Sequence, residues 1–163
     1  MAEEEDSEFT GSEKQHFIEE ISLVFEEIGL PRMAGRIIGW LLICTPSYQS
    51  AEELAGALQA SRGSISTMTR LLIEMDLVER IGLPGERRGY FRVKSNIWSR
   101  LLRDKMGQVT YLHQLAERGL QLVESESPEF QRRLLDMHDL YSFVEQELPV
   151  IIARWEQERY DSK

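Results

Sequence analysis

The segment from Ser50 to Val93 constrains this chain more than any other. It reads SAEELAGALQASRGSISTMTRLLIEMDLVERIGLPGERRGYFRV. Ser50 can open a helix with a capping box, its hydroxyl accepting from the Glu53 N–H while the Glu53 carboxylate reaches back to the Ser50 N–H. Leu54, Ala55 and Leu58 then face inward. A second helix starts after Ala60 with Ser61 as N-cap. Its stripe of Ile65, Met68, Leu72 and Met75 steps by three, four and three, and Asp76-Leu77 ends it. Leu77, Val78 and Ile81 predict one strand, and Tyr90, Phe91 and Val93 another. Leu83-Pro84-Gly85-Glu86-Arg87-Arg88-Gly89 is the loop between them, with the Pro and Gly of a turn and an exposed charged tip.

Helix, tight turn, helix, strand, loop, strand is the order of a winged helix-turn-helix with a two-stranded wing. In that arrangement the second helix lies in the DNA major groove. It needs small and hydrogen-bonding side chains on its outer face, and this one offers Ser61, Arg62, Gly63, Ser64, Ser66, Thr67 and Arg70. Glycine and serine allow close backbone approach. Arg70 is long enough to take a guanine edge or a phosphate. Ser61, Ser64 and Thr67 can donate to phosphates at the positive end of the helix. Arg87 and Arg88 at the loop tip suit a narrow minor groove, and Arg80, Arg92 and Lys94 on the strands suit phosphates. The same loop admits a second reading. Glu86 stands beside the two arginines, and one of them can serve a local salt bridge instead.

The net charge of −9 looks wrong for such a partner until it is located. Residues 1–30 hold one Lys and ten Asp/Glu. Residues 31–94 hold nine Lys/Arg against six Asp/Glu, and residues 95–163 hold nine against twelve. The winged-helix pattern therefore occupies the one net-basic segment, and phosphate binding depends on a local basic face.

Four regions follow. Residues 1–12 read as a disordered acidic tail. Residues 13–30 read as an N-terminal dimerisation helix, with Phe17, Ile21, Val24 and Ile28 at helical spacing and Ile18 and Phe25 beside them. Gly29 stops it, and Pro31 starts a nearly all-apolar helix to Cys44 that should be buried. Residues 31–94 are the winged-helix DNA-binding domain. Residues 95–163 are a helical dimerisation region. There Ser95 predicts one helix to about Glu124, and Ser127-Pro128 opens another. In the second, Phe130, Leu134, Met137, Tyr141, Val144, Leu148, Ile151 and Trp155 step 4-3-4-3-4-3-4, a seam for helix-against-helix packing. Pro149 should kink or split that helix near Glu145. The fold expected is mainly α, a winged helix flanked by dimerisation helices. A homodimer would read a palindrome with half-sites about 34 Å apart. The competing reading is a monomer whose terminal helices fold back on the wing domain.

No apolar run approaches the roughly 18 residues of a membrane span, and MAEEEDSEF does not read as a signal peptide, so no membrane partner and a cytoplasmic location are expected. Cys44 in an apolar run reads as an inert buried thiol. His16, His113 and His138 show no ligand spacing, so neither a metal nor another cofactor is expected. No nucleophile–base pair, paired carboxylates or phosphate loop suggests an enzyme.

The segments PRMAGRIIGWLLICTP, SAEELAGALQASRGSISTMTRLLIEMDLVER and LPGERRGYFRV resemble the MarR-type winged-helix regulators, closest to the branch that includes the glycine-betaine-responsive repressor GbsR. The resemblance covers residues 15–94 well and the C-terminal helices weakly. It implies a homodimer built by the N- and C-terminal helices and a transcriptional role, usually repression relieved by a small-molecule effector. It puts the recognition helix on Ser61–Arg70 and the wing-tip arginines on Arg87 and Arg88. The aromatic box of betaine-sensing members has no residue-by-residue counterpart, and Trp40, Trp98, Tyr111, Tyr141 and Trp155 read as core or interface. The alternative to a DNA-binding regulator is a winged helix used as a protein-interaction module.

Overall fold

The computed structural model describes residues 11–161. The expected acidic tail lies outside them except for Gly11 and Ser12, which are helical. The elements are α1 (Gly11–Glu27), α2 (Arg32–Ile43), β1 (Gln49–Ser50), α3 (Ala51–Ala57), α4 (Arg62–Glu74), β2 (Val78–Gly82), β3 (Gly89–Val93), α5 (Ile97–Asp104), α6 (Met106–Leu122) and α7 (Pro128–Asp161). The chain divides into two compact units between Ile97 and Trp98. No helix among the described residues is long and apolar enough to cross a membrane.

In the first unit α1 lies on α2. Its buried face is Ile18, Ser22 and Phe25, whereas Leu23 and Val24, and Ile28 just past its end, stay exposed. The backbones come close because α2 carries Gly35 and Gly39 there, with Ile18 and Ser22 opposite. The Ser22 hydroxyl is buried and donates to the Glu19 carbonyl at 2.7 Å, so the approach leaves no polar group stranded. Ala34, Ile37, Ile38 and Leu41 of α2 are buried as expected, and Leu54, Leu58, Ile65, Leu72, Leu77, Val78 and Tyr90 complete the core. Cys44 is half-buried, and burial pushes its thiol pKa up.

Three helices in this unit end in the same way. Gly29, Gln59 and Asp76 all take left-handed backbone angles. The next residue's N–H then reaches back over the last turn, as in Leu30 to Phe25, Ala60 to Ala55 and Leu77 to Leu72, at 2.9–3.0 Å.

The sheet is antiparallel in the order β1-β3-β2. The wing itself, β2 and β3, pairs Val78 with Val93 and Gly82 with Gly89. The third strand was not expected. Gln49 and Ser50 pair with Phe91 and Tyr90, so the residue that caps α3 also ties it to the wing.

In the second unit α6 and α7 pack antiparallel, Gly119 against Leu134 at one end and Thr110 against Glu145 towards the other. Ser127 caps α7 with Pro128 in its first turn, and the Gln131 amide donates to the Val123, Glu124 and Glu126 carbonyls that end α6. Three expectations are corrected here. The helix from Ser95 to Glu124 begins only at Ile97 and breaks at Lys105, where tightened three-residue hydrogen bonds replace the regular ladder. Pro149 does not split α7, which runs through it from Pro128 to Asp161. The heptad seam also drifts. Leu134, Met137, Tyr141, Val144 and Leu148 are half-buried, but near the end Ile152 is buried and Ile151 exposed. A straight helix makes about five full turns in the 18 residues from Leu134, which brings Ile152 and not Ile151 onto the same face.

Candidate nucleic-acid interface

The turn between α3 and α4 is built from local signals and one distant clamp. Ser50 and Glu53 form both bonds of the capping box, at 3.3 and 2.7 Å, and these bonds hold the Glu53 carboxyl below its usual pKa. Ser61 caps α4, its Oγ accepting from the Ser64 N–H at 3.1 Å. The distant clamp is Arg36 of α2, which donates to the Leu58 carbonyl at 3.2 Å just before the turn. Its Nε lies 2.9 Å from Glu19 Oε1, near enough for an ion pair though not aligned as a hydrogen bond. Arg32 donates to the same carboxylate at 2.8 Å and is the chief reason the Glu19 carboxyl is held below its usual range, with Arg36 adding to it. The sequence reading missed this clamp. Its only signal was two arginines four apart on α2 facing an acidic helix.

α4 buries Ile65, Thr69 and Leu72. The Thr69 hydroxyl donates to the Ile65 carbonyl at 2.8 Å, so the polar residue in the stripe is satisfied. Met75 was expected inside and is exposed, because the left-handed turn at Asp76 begins there. On the opposite face Ser61, Arg62, Gly63, Ser66, Thr67 and Arg70 are exposed, and Ser64 is half-buried. Gly63, Ser66, Thr67 and Arg70 fall on one stripe at helical spacing. Arg62 is tied to Glu52 of α3 at 2.9 Å, while Arg70 has no ion-pair partner among the described residues.

The wing tip is a type II turn, with the Glu86 N–H on the Leu83 carbonyl at 3.1 Å, Pro84 second and Gly85 at φ +80° third. Beyond it the two arginines part. Arg88 donates to Glu86 at 3.0 Å and to the Tyr90 hydroxyl at 2.9 Å, and that hydroxyl donates to Glu86 at 2.8 Å. The Arg88 guanidinium also lies over the Tyr90 ring, 5.5 Å from its centre, and Tyr48 meets the same ring edge-on. These bonds hold the Glu86 carboxyl low, Tyr90 first and Arg88 next, and raise Arg88, whereas burial leads the rise of the Tyr90 phenol. The local salt bridge that the sequence left open is thus formed, and Arg88 makes it. Arg87 is exposed with no ion-pair partner among the described residues. Arg92 pairs with Glu79 directly across the strands at 2.7 Å, and Lys94 pairs with Asp76. Arg80 lies across the backbone at Gly89, filling the space a Cβ there would need.

Of the six arginines singled out in the sequence, Arg62, Arg88 and Arg92 are held in ion pairs, Arg80 lies along Gly89, and Arg70 and Arg87 extend from the helix face and the wing tip with no ion-pair partner among the described residues. Such a surface offers one long cation from a helix, one from a loop, and between them hydroxyls and a glycine that let another backbone come close.

The family model for MmpR5-like MarR family transcriptional regulators matches residues 96–158, the part where the sequence resemblance was weak. The HTH-type transcriptional regulator MmpR5 of Mycobacterium tuberculosis is 40% identical over 141 residues, covering 86% of this chain and 86% of that protein. A crystal structure described as a transcriptional regulator is 39% identical, with a TM-score of 0.60 over 89% of this chain and 99% of the other.

Proposed function

This chain belongs to the MarR family of winged-helix transcriptional regulators, among its MmpR5-like members, and from that premise we propose that it is a dimeric, sequence-specific double-stranded DNA-binding protein that represses transcription. The observation that carries the reading is the α4 face from Ser61 to Arg70, exposed beside a wing whose Arg87 is unpaired among the described residues, all within the one net-basic segment of an acidic chain. Arg70 and Arg87 supply the contacts that discriminate or steer, and Arg62, Arg88 and Arg92 are held in place by carboxylates. Ion-paired arginines still present donors to a phosphate, at the cost of sharing their charge.

Apolar side chains exposed on both flanks support dimerisation. Leu23 and Val24 lie exposed on α1 with Ile28 just beyond its end, and Phe130, Leu140, Phe143, Val150, Ile151 and Trp155 on α7. Exposed apolar surface of this extent usually marks an interaction site. Of the seam residues, Phe130, Ile151 and Trp155 are available to a partner, while Leu134, Met137, Tyr141, Val144 and Leu148 chiefly serve the α6–α7 pair. Phe17 and Ile21 are half-buried on α1 and flank Val24. An apolar groove of about 400 Å³ lined by Trp98, Leu102, Ile151, Ile152 and Trp155 belongs to the same surface. The reading includes response to a small-molecule effector of unknown identity and a location in the cytoplasm. The family model and the curated relative matched are MmpR5-like, and they give no support to the GbsR-like branch that the sequence resemblance suggested.

Selection of bound sequences from a random duplex pool tests this directly. A palindrome with half-sites one helical turn apart supports both the DNA reading and the dimer. Failure to retain any duplex at low salt, with a protein partner recovered instead, selects the interaction-module alternative.

A further inference from the structure

The chain's three histidines are spread over more than a hundred residues, yet folding brings two of them together. His113 and Glu117 stand one turn apart on α6, and His138 of α7 faces them. One donor atom from each lies within 4.8 Å of the others. The two imidazole rings are 4.8 Å apart, centre to centre, and inclined at 55°.

The hydrogen bonds around the rings fix which nitrogens are left free to bind. Glu145 lies 2.6 Å from His113 Nδ1 and also accepts from the Thr110 hydroxyl. A carboxylate can only accept, so Nδ1 carries the proton and Nε2 of the neutral ring keeps its lone pair. That Nε2 is shut off from water and has no hydrogen-bond partner among the described residues. Asp139 holds His138 Nδ1 in the same manner at 3.1 Å, leaving that ring's Nε2 as its donor. A metal-binding histidine usually has this arrangement, in which a carboxylate orients the ring and makes the other nitrogen a better donor. A buried lone pair with nothing to accept is otherwise unfavourable.

We propose that His113, Glu117 and His138 form a binding site for a divalent transition-metal ion of the zinc class, with Glu145 and Asp139 orienting the two imidazoles. Two imidazoles and one carboxylate suit Zn²⁺, Co²⁺ or Ni²⁺ and leave at least one position for water. Mg²⁺ and Ca²⁺ prefer oxygen donors and are discriminated against. Bonds of about 2.0 Å to a tetrahedral ion bring donors to about 3.3 Å apart, so the site closes by rotation of side chains, the exposed Glu117 most easily. An ion there ties α6 to α7 independently of their apolar seam.

The test uses tag-free full-length protein stripped with a chelator and titrated with Zn²⁺ against a colorimetric competitor. One ion per chain is expected, with the visible absorption of four-coordinate Co²⁺ when that ion replaces Zn²⁺. His138→Gln and Glu117→Gln are each expected to weaken binding at least about 10-fold, and Asp139→Asn by less. His16→Ala, at the unrelated His16–Glu20 pair on α1, is expected to leave affinity unchanged. Zn²⁺ at a hundredfold excess over Kd is expected to raise Tm by roughly 5–10 °C in the wild type and not in His138→Gln. Matching apo-protein melting curves establish that each variant folds. Absence of saturable binding, or binding that His138→Gln leaves unchanged, overturns the site.

Discussion

Gly35 of α2 stands so close to Ser22 of α1 that a Cβ built on the glycine falls 2.8 Å from the serine Cα. The obstacle is backbone, so no side-chain rotation relieves it. Gly35→Ala is expected to lose roughly 1–3 kcal/mol to overpacking, offset by up to about 1 kcal/mol of helix propensity. Gly56 of α3 has nothing within 4 Å of the same position, so Gly56→Ala is expected to gain part of that propensity without the clash. Urea midpoints of the two variants should move in opposite directions.

The Glu19 carboxyl is held below its usual value of 4.5, first by Arg32 and further by Arg36. A carboxyl lowered in the folded state stabilises the fold fully above its unfolded pKa and loses that contribution as pH falls through the folded value. Glu19→Gln is therefore expected to be less stable than wild type at pH 7. The gap should begin to narrow below about pH 4.5 and close once Glu19 is protonated. Paired thermal melts between pH 7 and pH 3 read the difference directly and cancel changes in overall charge.

Gln59 holds a left-handed conformation, φ +50°, in the turn before α4. A side chain there costs about 1–2 kcal/mol relative to right-handed geometry, and glycine avoids it at some cost in chain entropy. Gln59→Gly should raise stability by about 0.5–1 kcal/mol, seen as a higher Tm. A fall in Tm would mean the glutamine side chain makes a stabilising contact that offsets its strain.

Arg70 and Arg87 should separate in DNA-binding measurements on the selected duplex. Arg70→Ala is expected to cost roughly 1–3 kcal/mol and to relax preference at one base position. Arg87→Ala should weaken binding evenly across sequences and reduce the salt slope by about 1. Arg88→Ala also breaks the bonds to Glu86 and Tyr90, so its loss should appear in wing stability as well as affinity. Fluorescence anisotropy over a salt series distinguishes the three.

Phe143 is 62% exposed on α7, so Phe143→Glu should leave the chain folded while placing a charge in the proposed dimer surface. Light scattering after size-exclusion chromatography is expected to show a dimer for wild type and a monomer for the variant. A monomeric wild type would remove the dimer from the proposed function.

Features that act over three or four residues were legible in the sequence. The Ser50–Glu53 box, the Ser61 cap, the Pro84-Gly85 turn and the Ser127-Pro128 helix start are local, because the groups that satisfy each other are already neighbours along the chain. The outward α4 face followed from helical spacing for the same reason. The sequence did not disclose which cations are neutralised. Glu79 meets Arg92 only through the strand register, and Glu52 meets Arg62 only once α3 and α4 have packed. Nor did it show the third strand, since two residues carry too little pattern to mark β1.

The sequence by itself determined the order of helices and wing and the concentration of positive charge in residues 31–94, because helical periodicity, caps and turns are written in adjacent residues. The tertiary structure alone decided that Arg88 is tied down while Arg87 is exposed at the tip, that Ile152 replaces Ile151 in the α7 core, and that His113 and His138 come together. The Arg88 contacts reach only two residues and depend on how the wing turn folds, whereas the other two depend on where a partner far along the chain arrives. That position is set by the packing of whole helices and strands, to which no short window of sequence has access.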